Sequence, residues 1–356
     1  MSATTSIEWT DKSWNPVRGC ALVSPGCTNC YAMKFAHRFS GAGKPYDGLT
    51  RLTKHGPVWT GEALFIPWAL EEPFRWKKPQ RVFVNSMSDL FHEDVTDEQI
   101  AAVFGVMAAA PQHTFQILTK RPERMRAFLR EVMPRLADDN RAIAAAPAVH
   151  QTTLRAAVEY LGKHPALDAA WERDREARNR DVEAWPLRNV WIGVSVEDQA
   201  RANERIPLLL DTPAAVRWVS AEPLLERVSL ADLYDHAGGI IKPLCGLHWQ
   251  PTPASWSQRG VTVLKPKGPT IDWVVVGGES GPGARPFHLD WARKVVADCK
   301  AAGVPCFVKQ LGAVPVHTPP EWGAQCGLHL GDRKGGDMAE WPEELRVRQY
   351  PEGSRP

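Results

Sequence analysis

The sequence predicts an α/β fold: a partial or irregular (β/α) barrel of about six to seven units, carrying a helical insertion and a hairpin-like one. Three observations predict it. Six short apolar runs, each of buried-strand length, alternate with stretches of helical spacing. Alternation of this kind implies parallel strands joined by right-handed crossovers. Each run closes on polar residues, the position at which barrels and open α/β sheets place their chemistry. A doubly wound open sheet is the alternative, because strand order is not written in a sequence.

Residues 7–19 are aromatic and short of helix formers, and read as a short strand or extended entry. Tyr31, Phe35 and Phe39 share a helical face, residues 40–61 read as a loop, and Trp68–Trp76 reads as a helix closed by Pro79. Arg81–Asp89 is the next strand, followed by a helix opened by Thr96-Asp97-Glu98-Gln99 and running through Met107. Thr114–Arg121 is a strand, and Pro122 opens a helix to about Met133. Asn189–Glu197 leads into a helix over Asp198–Leu210, and Val216–Pro223 is a further strand. Ile271–Ser280 is followed by a helix over Asp290–Ala302, and Pro305–Gln310 is the last strand.

These elements predict one barrel-like catalytic domain over residues 1–312 and a C-terminal tail, 313–356, that wraps the surface. Two segments interrupt the rhythm: a helical insertion at 134–188, with helices around Arg141–Ala146 and Thr153–Arg180, and a flap at 236–268. At 356 residues and 44% hydrophobic, the chain can bury a large core. A net charge of +2 leaves any nucleic-acid contact to a local patch. There is no apolar run of about 18 residues and the first eight residues are polar, so neither a membrane span nor a signal peptide is expected. Seven cysteines, three of them clustered and Cys245, Cys299, Cys306 and Cys326 scattered, fit a reducing cytoplasm and a metal site better than a disulfide framework. Trp191, Trp218 and Trp273, among fifteen tryptophans, stand in apolar runs and are expected in the core.

Cys20, Cys27 and Cys30 lie within eleven residues, spaced Cys-x6-Cys-x2-Cys about a Ser24-Pro25-Gly26 reversal. On spacing alone two metals compete. A structural zinc takes a fourth ligand, for which His37 is nearest. An iron–sulfur cluster needs only the three thiolates and keeps one iron open for a small molecule. Placement after a first strand and ahead of a series of β/α units favours the cluster.

The local phrases Ile7-Glu8-Trp9-Thr10, Trp14-Asn15-Pro16, Gly19-Cys20, Ser24-Pro25-Gly26-Cys27, Cys30-Tyr31-Ala32, Val194-Ser195-Val196-Glu197, Ser220-Ala221-Glu222-Pro223 and Gly277-Gly278-Glu279-Ser280-Gly281 extend the pattern over nearly the whole chain. Together they resemble the phage-associated three-cysteine-motif family, long catalogued as a domain of unknown function, and with it the radical S-adenosylmethionine enzymes. The resemblance implies a 4Fe–4S cluster on Cys20, Cys27 and Cys30 and S-adenosyl-L-methionine on its open iron. Reductive cleavage would yield a 5′-deoxyadenosyl radical that takes a hydrogen from substrate. It also implies a reductant for the cluster and, from phage members, an isomerase step on an amino-acid-adducted thymine base in viral DNA, which protects that DNA from host restriction. The compartment is then the host cytoplasm. The sequence departs from the superfamily in three places: the usual first gap is three residues, not six; the residue before the last cysteine is usually aromatic, whereas here it is Asn29, with Tyr31 following; and Gly-Gly-Glu usually ends the second strand, not a late one.

Candidate cofactor-binding residues are Gly277, Gly278, Glu279, Ser86, Ser88, Ser220 and Glu222, all at strand ends; no catalytic residue is assigned. Asp89, Thr119, Lys120, Glu197, Lys309 and Gln310 are further strand-end candidates, against the ordinary role of Ser, Thr and Asp as helix caps. Gly277 and Gly278 favour close backbone approach to a ligand, and Arg285 and His288 suit an anion. Lys120, Arg121, Arg124, Arg173, Arg175, Arg178 and Arg180 are candidates to hold a DNA backbone, with any duplex base flipped out to reach the site. Interleaved acids make a solvated helix the plainer reading of the insertion. Two rivals remain: a zinc-stabilised nucleic-acid-binding or scaffold protein, and a partial-barrel hydrolase using Glu197, Glu222 or Glu279 as acid and base.

Overall fold

A computed structural model describes residues 5–133, 146–178, 185–234, 239–249, 268–317 and 326–353. Among them, the main sheet has seven strands: β1 (Lys12–Trp14), β2 (Arg81–Val84), β3 (Thr114–Thr119), β4 (Val190–Ser195), β5 (Val216–Ala221), β6 (Trp273–Gly277) and β7 (Cys306–Gln310). They stand side by side in chain order. The registers Lys12↔Val82, Val82↔Phe115, Val219↔Val274 and Val275↔Phe307 are parallel. Strands laid down in chain order leave no point at which the winding reverses. Right-handed crossovers then carry every connection over one face, whereas a doubly wound sheet must reverse at a switch point. The partial (β/α) barrel is therefore the architecture present, and the doubly wound alternative falls.

Two compact units divide the chain, 1–192 with 212–215, and 193–211 with 216–355. In the first, α1 (Tyr31–Arg38) buries Ala32, Met33 and Ala36 and turns Tyr31, Phe35 and Phe39 outward. The shared aromatic face is thus the exposed one, because small residues on the other face let the helix lie close on Leu49, Trp59 and Met87. Residues 40–61 are more ordered than a loop: Thr50–Thr53 and Gly56–Trp59 pair antiparallel, closed by Thr53 Oγ1 donating to the Gly56 carbonyl at 2.7 Å. Pro67–Arg75 is a 3₁₀ helix rather than an α-helix, with Pro73 removing a donor from its interior.

Helix α2 (Asp97–Ala109) begins with the expected capping box, Gln99 N–H on Thr96 Oγ1 and Thr96 N–H on Gln99 Oε1. From Ile100 to Ala109 all of its residues are buried. The covering layer comes from the insertion, whose helices are α4 (Ala146–Leu161) and α5 (Pro165–Arg178). At Gly105 a Cβ would meet the Thr153 carbonyl oxygen at 2.0 Å, so glycine sets the α2–α4 approach. Helix α3 (Pro122–Ala127) starts at its proline as expected and continues as a π-helical turn over Phe128–Val132. Of the helix expected over Arg141–Ala146, all but Ala146 lies outside the described residues.

In the second unit, α6 (Gln199–Leu210) is capped by Asp198, and α7 (Leu289–Ala302) ends on Gly303 at φ 71°. Trp218 and Trp273 are fully buried, ring to ring at 5.3 Å. The flap is represented by a small antiparallel sheet, Leu233–Tyr234, Ile240–Lys242 and Leu247–Trp249; residues 250–267 lie outside the described set. The tail does more than wrap the surface. Val308 N–H bonds the Val347 carbonyl and Gln349 N–H the Cys306 carbonyl, so the tail covers the edge of β7. It also buries Trp341 and Leu345. No helix among the described residues is long and apolar enough to cross a membrane.

Candidate functional site

The cysteine loop cannot hold its own shape: it has one short 3₁₀ turn, Pro25–Cys27, and little regular pairing. The end of β2 holds it instead. Asn85, in the left-handed region at φ 63°, gives its N–H to the Trp14 carbonyl at 2.7 Å and accepts the Val17 N–H on its side chain. Asn15 Oδ1 accepts Met87 N–H at 3.0 Å and the Ser86 hydroxyl at 3.2 Å, and Ser88 Oγ donates to the Val17 carbonyl at 2.8 Å. Gly19 bridges Ser88 at φ 87°, where a Cβ would sit 2.3 Å from the Glu62 carbonyl oxygen. The hydroxyls of Ser86 and Ser88 thus join the first two strand ends, within the chain.

On this frame the three thiols are neighbours. Cys20 lies within electrostatic reach of both Cys27 and Cys30, and Cys30 within reach of Cys27. Cys27 N–H closes on the Ser24 carbonyl at 2.9 Å, and Cys30 N–H on that of Cys27 at 3.2 Å. The long first gap thus runs into the Pro25–Cys27 turn. Cys30 caps the start of α1. Burial pushes its thiol up, opposed by amide hydrogens of Ala32 and Met33 and by the Lys120 charge. Burial also pushes the Cys20 thiol up to about 12, with Asp89 adding to the rise and Arg121 opposing it. Cys20 and Cys30 pack on the apolar cluster of Met33, Tyr46, Leu49 and Met87. His37, the fourth ligand of the zinc reading, has Nδ1 3.1 Å from Thr50 Oγ1.

A hydrogen-bonded network lies behind Cys20. Asp89, 5% exposed, accepts the Thr119 hydroxyl at 2.7 Å and Phe91 N–H at 3.0 Å on one oxygen. Its other oxygen accepts Lys120 N–H at 3.0 Å and Arg121 Nη1 at 3.3 Å. Arg121 then reaches Glu93 at 3.1 Å through Nε and the Cys20 sulfur at 4.0 Å through Nη1. Sequence reasoning named Asp89, Thr119 and Arg121 separately but missed the network. Its signal was an acid and a cation at the ends of two strands, meaningful only once β2 and β3 are known to be adjacent.

Several cations offered for a DNA backbone are engaged elsewhere. Arg121 is held as described, and Arg124 bonds the carbonyls of His92 and Val95. Arg173 reaches the Ala109 carbonyl at 3.3 Å and Arg175 pairs with Glu172. The side chain of Arg178, and Arg180, fall outside the described residues.

The second unit holds the remaining candidates. Glu222 receives the Ser220 hydroxyl at 3.3 Å on one oxygen and pairs with Lys309 Nζ at 3.1 Å through the other. A Cβ on Gly277 would lie 2.8 Å from that second oxygen, and one on Gly278 would lie 2.7 Å from the Leu311 carbonyl oxygen. Both glycines thus make room for the chain itself. Gln310 Nε2 closes on the Gly278 carbonyl at 2.8 Å. Glu279 is clamped by the backbone and guanidinium of Arg285. Glu197 is fully buried against Arg205, with Oε2 3.1 Å from Nη1. His288 stacks on Trp291 with ring centroids 4.1 Å apart.

Among the described residues, no three His, Cys, Asp or Glu side chains are drawn up around one metal ion. Of the three soft thiols, Cys20 and Cys30 pack on apolar side chains and each faces a cation, a donor set of the kind that an iron–sulfur cluster takes and that a zinc ion takes as well. Fold and site together define an α/β strand-end protein whose cysteine loop is framed by the next two strands. The chain belongs to a family described as a protein of unknown function (DUF5131), whose model matches residues 4–340. Neither a curated protein nor a solved structure matches it.

Proposed function

We propose that this chain is a radical S-adenosylmethionine enzyme in which Cys20, Cys27 and Cys30 hold a 4Fe–4S cluster. The observation that supports the reading is the placement of three cysteines, whose thiols influence one another electrostatically, on one loop after the first strand of a partial (β/α) barrel. With S-adenosyl-L-methionine, such a cluster supplies one-electron reductive cleavage and hydrogen-atom abstraction. The chain's residues do the rest. Met33, Tyr46, Leu49 and Met87 keep water from one side of the thiols. The first turn of α1 offers amide hydrogens to Cys30.

For substrate we propose an amino-acid-adducted thymine base in DNA, rearranged by an isomerase step. Residues 12–61 support a nucleic-acid partner: they contain seven Lys or Arg against the single acid Asp47, in a chain whose net charge is only +2. On α1, immediately after Cys30, exposed Tyr31 and Phe35 alternate with exposed Lys34 and Arg38. Rings for bases and cations for phosphates are the means by which proteins hold unpaired strands.

Anaerobic reconstitution followed by dithionite and S-adenosylmethionine tests the chemistry. Wild type should release 5′-deoxyadenosine and Cys20→Ala should not. Stoichiometric zinc without iron or sulfide would sink the reading. Nucleoside analysis of DNA from cells with and without the gene tests the substrate.

A further inference from the structure

We infer that Arg121 is a positioning residue that raises the reduction potential of the cluster on Cys20, Cys27 and Cys30, by presenting an N–H and a fixed positive charge to the Cys20 sulfur. The inference rests on the radical S-adenosylmethionine reading. Its basis is geometric. The Arg121 side chain is only 10% exposed and is held from both edges, Nη1 on Asp89 at 3.3 Å and Nε on Glu93 at 3.1 Å. Its backbone is fixed too, through its N–H on Thr119 Oγ1 at 2.9 Å. So held, Nη1 stands 4.0 Å from Cys20 Sγ, within range of an N–H···S contact. Asp89 is the fulcrum, since it also fixes Thr119 and Lys120.

Reduction places an added negative charge on the cluster and its sulfurs, and a donor aimed at a ligating sulfur favours the reduced state. Asp89 sets negative charge near the same sulfur, so the guanidinium is the group that keeps its field from opposing electron entry. Lys120 adds positive charge near Cys30. Arginine suits the role because its rigid fork can meet two carboxylates and a sulfur together, which an ammonium on a flexible stem does not do in one geometry.

The test compares wild type, Arg121→Gln, Arg121→Lys and Arg124→Gln after anaerobic reconstitution. Iron and sulfide content is measured, and then the midpoint potential by a redox titration followed by electron paramagnetic resonance. Arg124 lies in the first turn of α3, which Arg121 precedes, but bonds the His92 and Val95 carbonyls, so it reports a merely structural disturbance. The expected result is a loaded cluster throughout, a shift to lower potential in Arg121→Gln, a smaller shift in Arg121→Lys and none in Arg124→Gln. If Arg121→Gln does not load, Arg121→Lys carries the comparison. A loaded Arg121→Gln at the wild-type potential, or equal shifts in Arg121→Gln and Arg124→Gln, overturns the inference alone. A wild type that takes up no iron and sulfide overturns the functional reading, and this inference with it.

Discussion

Arg205→Met is the sharpest test of how the strand ends are used. Glu197, directly after β4, is 0% exposed, and Arg205 is 2% exposed. Their atoms meet at 3.1 Å, and the same guanidinium nitrogen donates to the Ser195 carbonyl at 2.9 Å. Methionine keeps much of the aliphatic stem, so little cavity opens. What it leaves is a buried carboxylate without its counter-charge, a loss of about 3–5 kcal/mol. For a unit of this size about 1 kcal/mol moves the melting temperature by roughly 2–4 °C, so a fall on the order of 6–20 °C is expected. Glu197→Gln added to Arg205→Met removes the stranded charge and should recover most of that fall. The assay is thermal melting of the three proteins at neutral pH. If Arg205→Met melts within about 2 °C of wild type, or the double variant melts below the single one, the buried-pair account is wrong. Success would also weigh against the hydrolase reading, because Glu197 would be shown to be a structural ion-pair partner.

Two further substitutions address the second unit and the pH response. Gly277→Ala should displace the Glu222 carboxylate from Lys309, since the added Cβ lies 2.8 Å from Oε1; overpacking of this kind costs about 1–3 kcal/mol, and an unchanged melting temperature would refute the crowding. His113 is 1% exposed, with Nε2 3.1 Å from the Pro73 carbonyl, and burial holds its pKa below the ordinary 6.5 although hydrogen bonds to Pro73 and Trp76 oppose this. Between the lowered native value and about 6.5 the unfolded chain binds a proton that the native chain does not, so stability falls as pH drops through that window and levels off below it. The difference in denaturation midpoint between wild type and His113→Gln should therefore change between pH 7.5 and pH 5, and a constant difference would show that His113 does not titrate on unfolding.

The strands were legible because each is a short apolar run, and burial on both faces makes such a run stand out. Helix starts were legible too: the Thr96–Gln99 box and Pro122 act where the sequence placed them, and the helix expected from Asp198 starts at Gln199 with Asp198 as its cap. Less legible was which face of a helix turns inward. Tyr31, Phe35 and Phe39 repeat every fourth residue, but it is the small Ala32 and Ala36 that allow the close approach. The hairpin at Thr50–Trp59 was missed because proline, glycine and threonine mark turns more strongly than they mark two paired strands, and the helix read at Trp68–Trp76 is present over Pro67–Arg75 in 3₁₀ form. The Asp89–Arg121 pair was out of reach for another reason: thirty-one residues and a crossover helix separate its members, and only strand adjacency joins them.

That adjacency also changes what a polar strand end means. From sequence, Ser86, Ser88, Asp89 and Thr119 look like four ligands waiting for one cofactor. In the fold each has a partner within the chain, and each partnership fixes either the cysteine loop or the arginine behind it. A three-thiol site on a loop needs such a frame, because ligand geometry is only as firm as the residues that hold the ligands. The six-residue first gap fits the same logic. Its extra length is folded into the Pro25–Cys27 turn, and Cys27 stays near Cys20 and Cys30. Under the function proposed above, chemistry in the first unit falls to the cysteines, and the polar residues around them set how firmly, and in what field, the thiols are held.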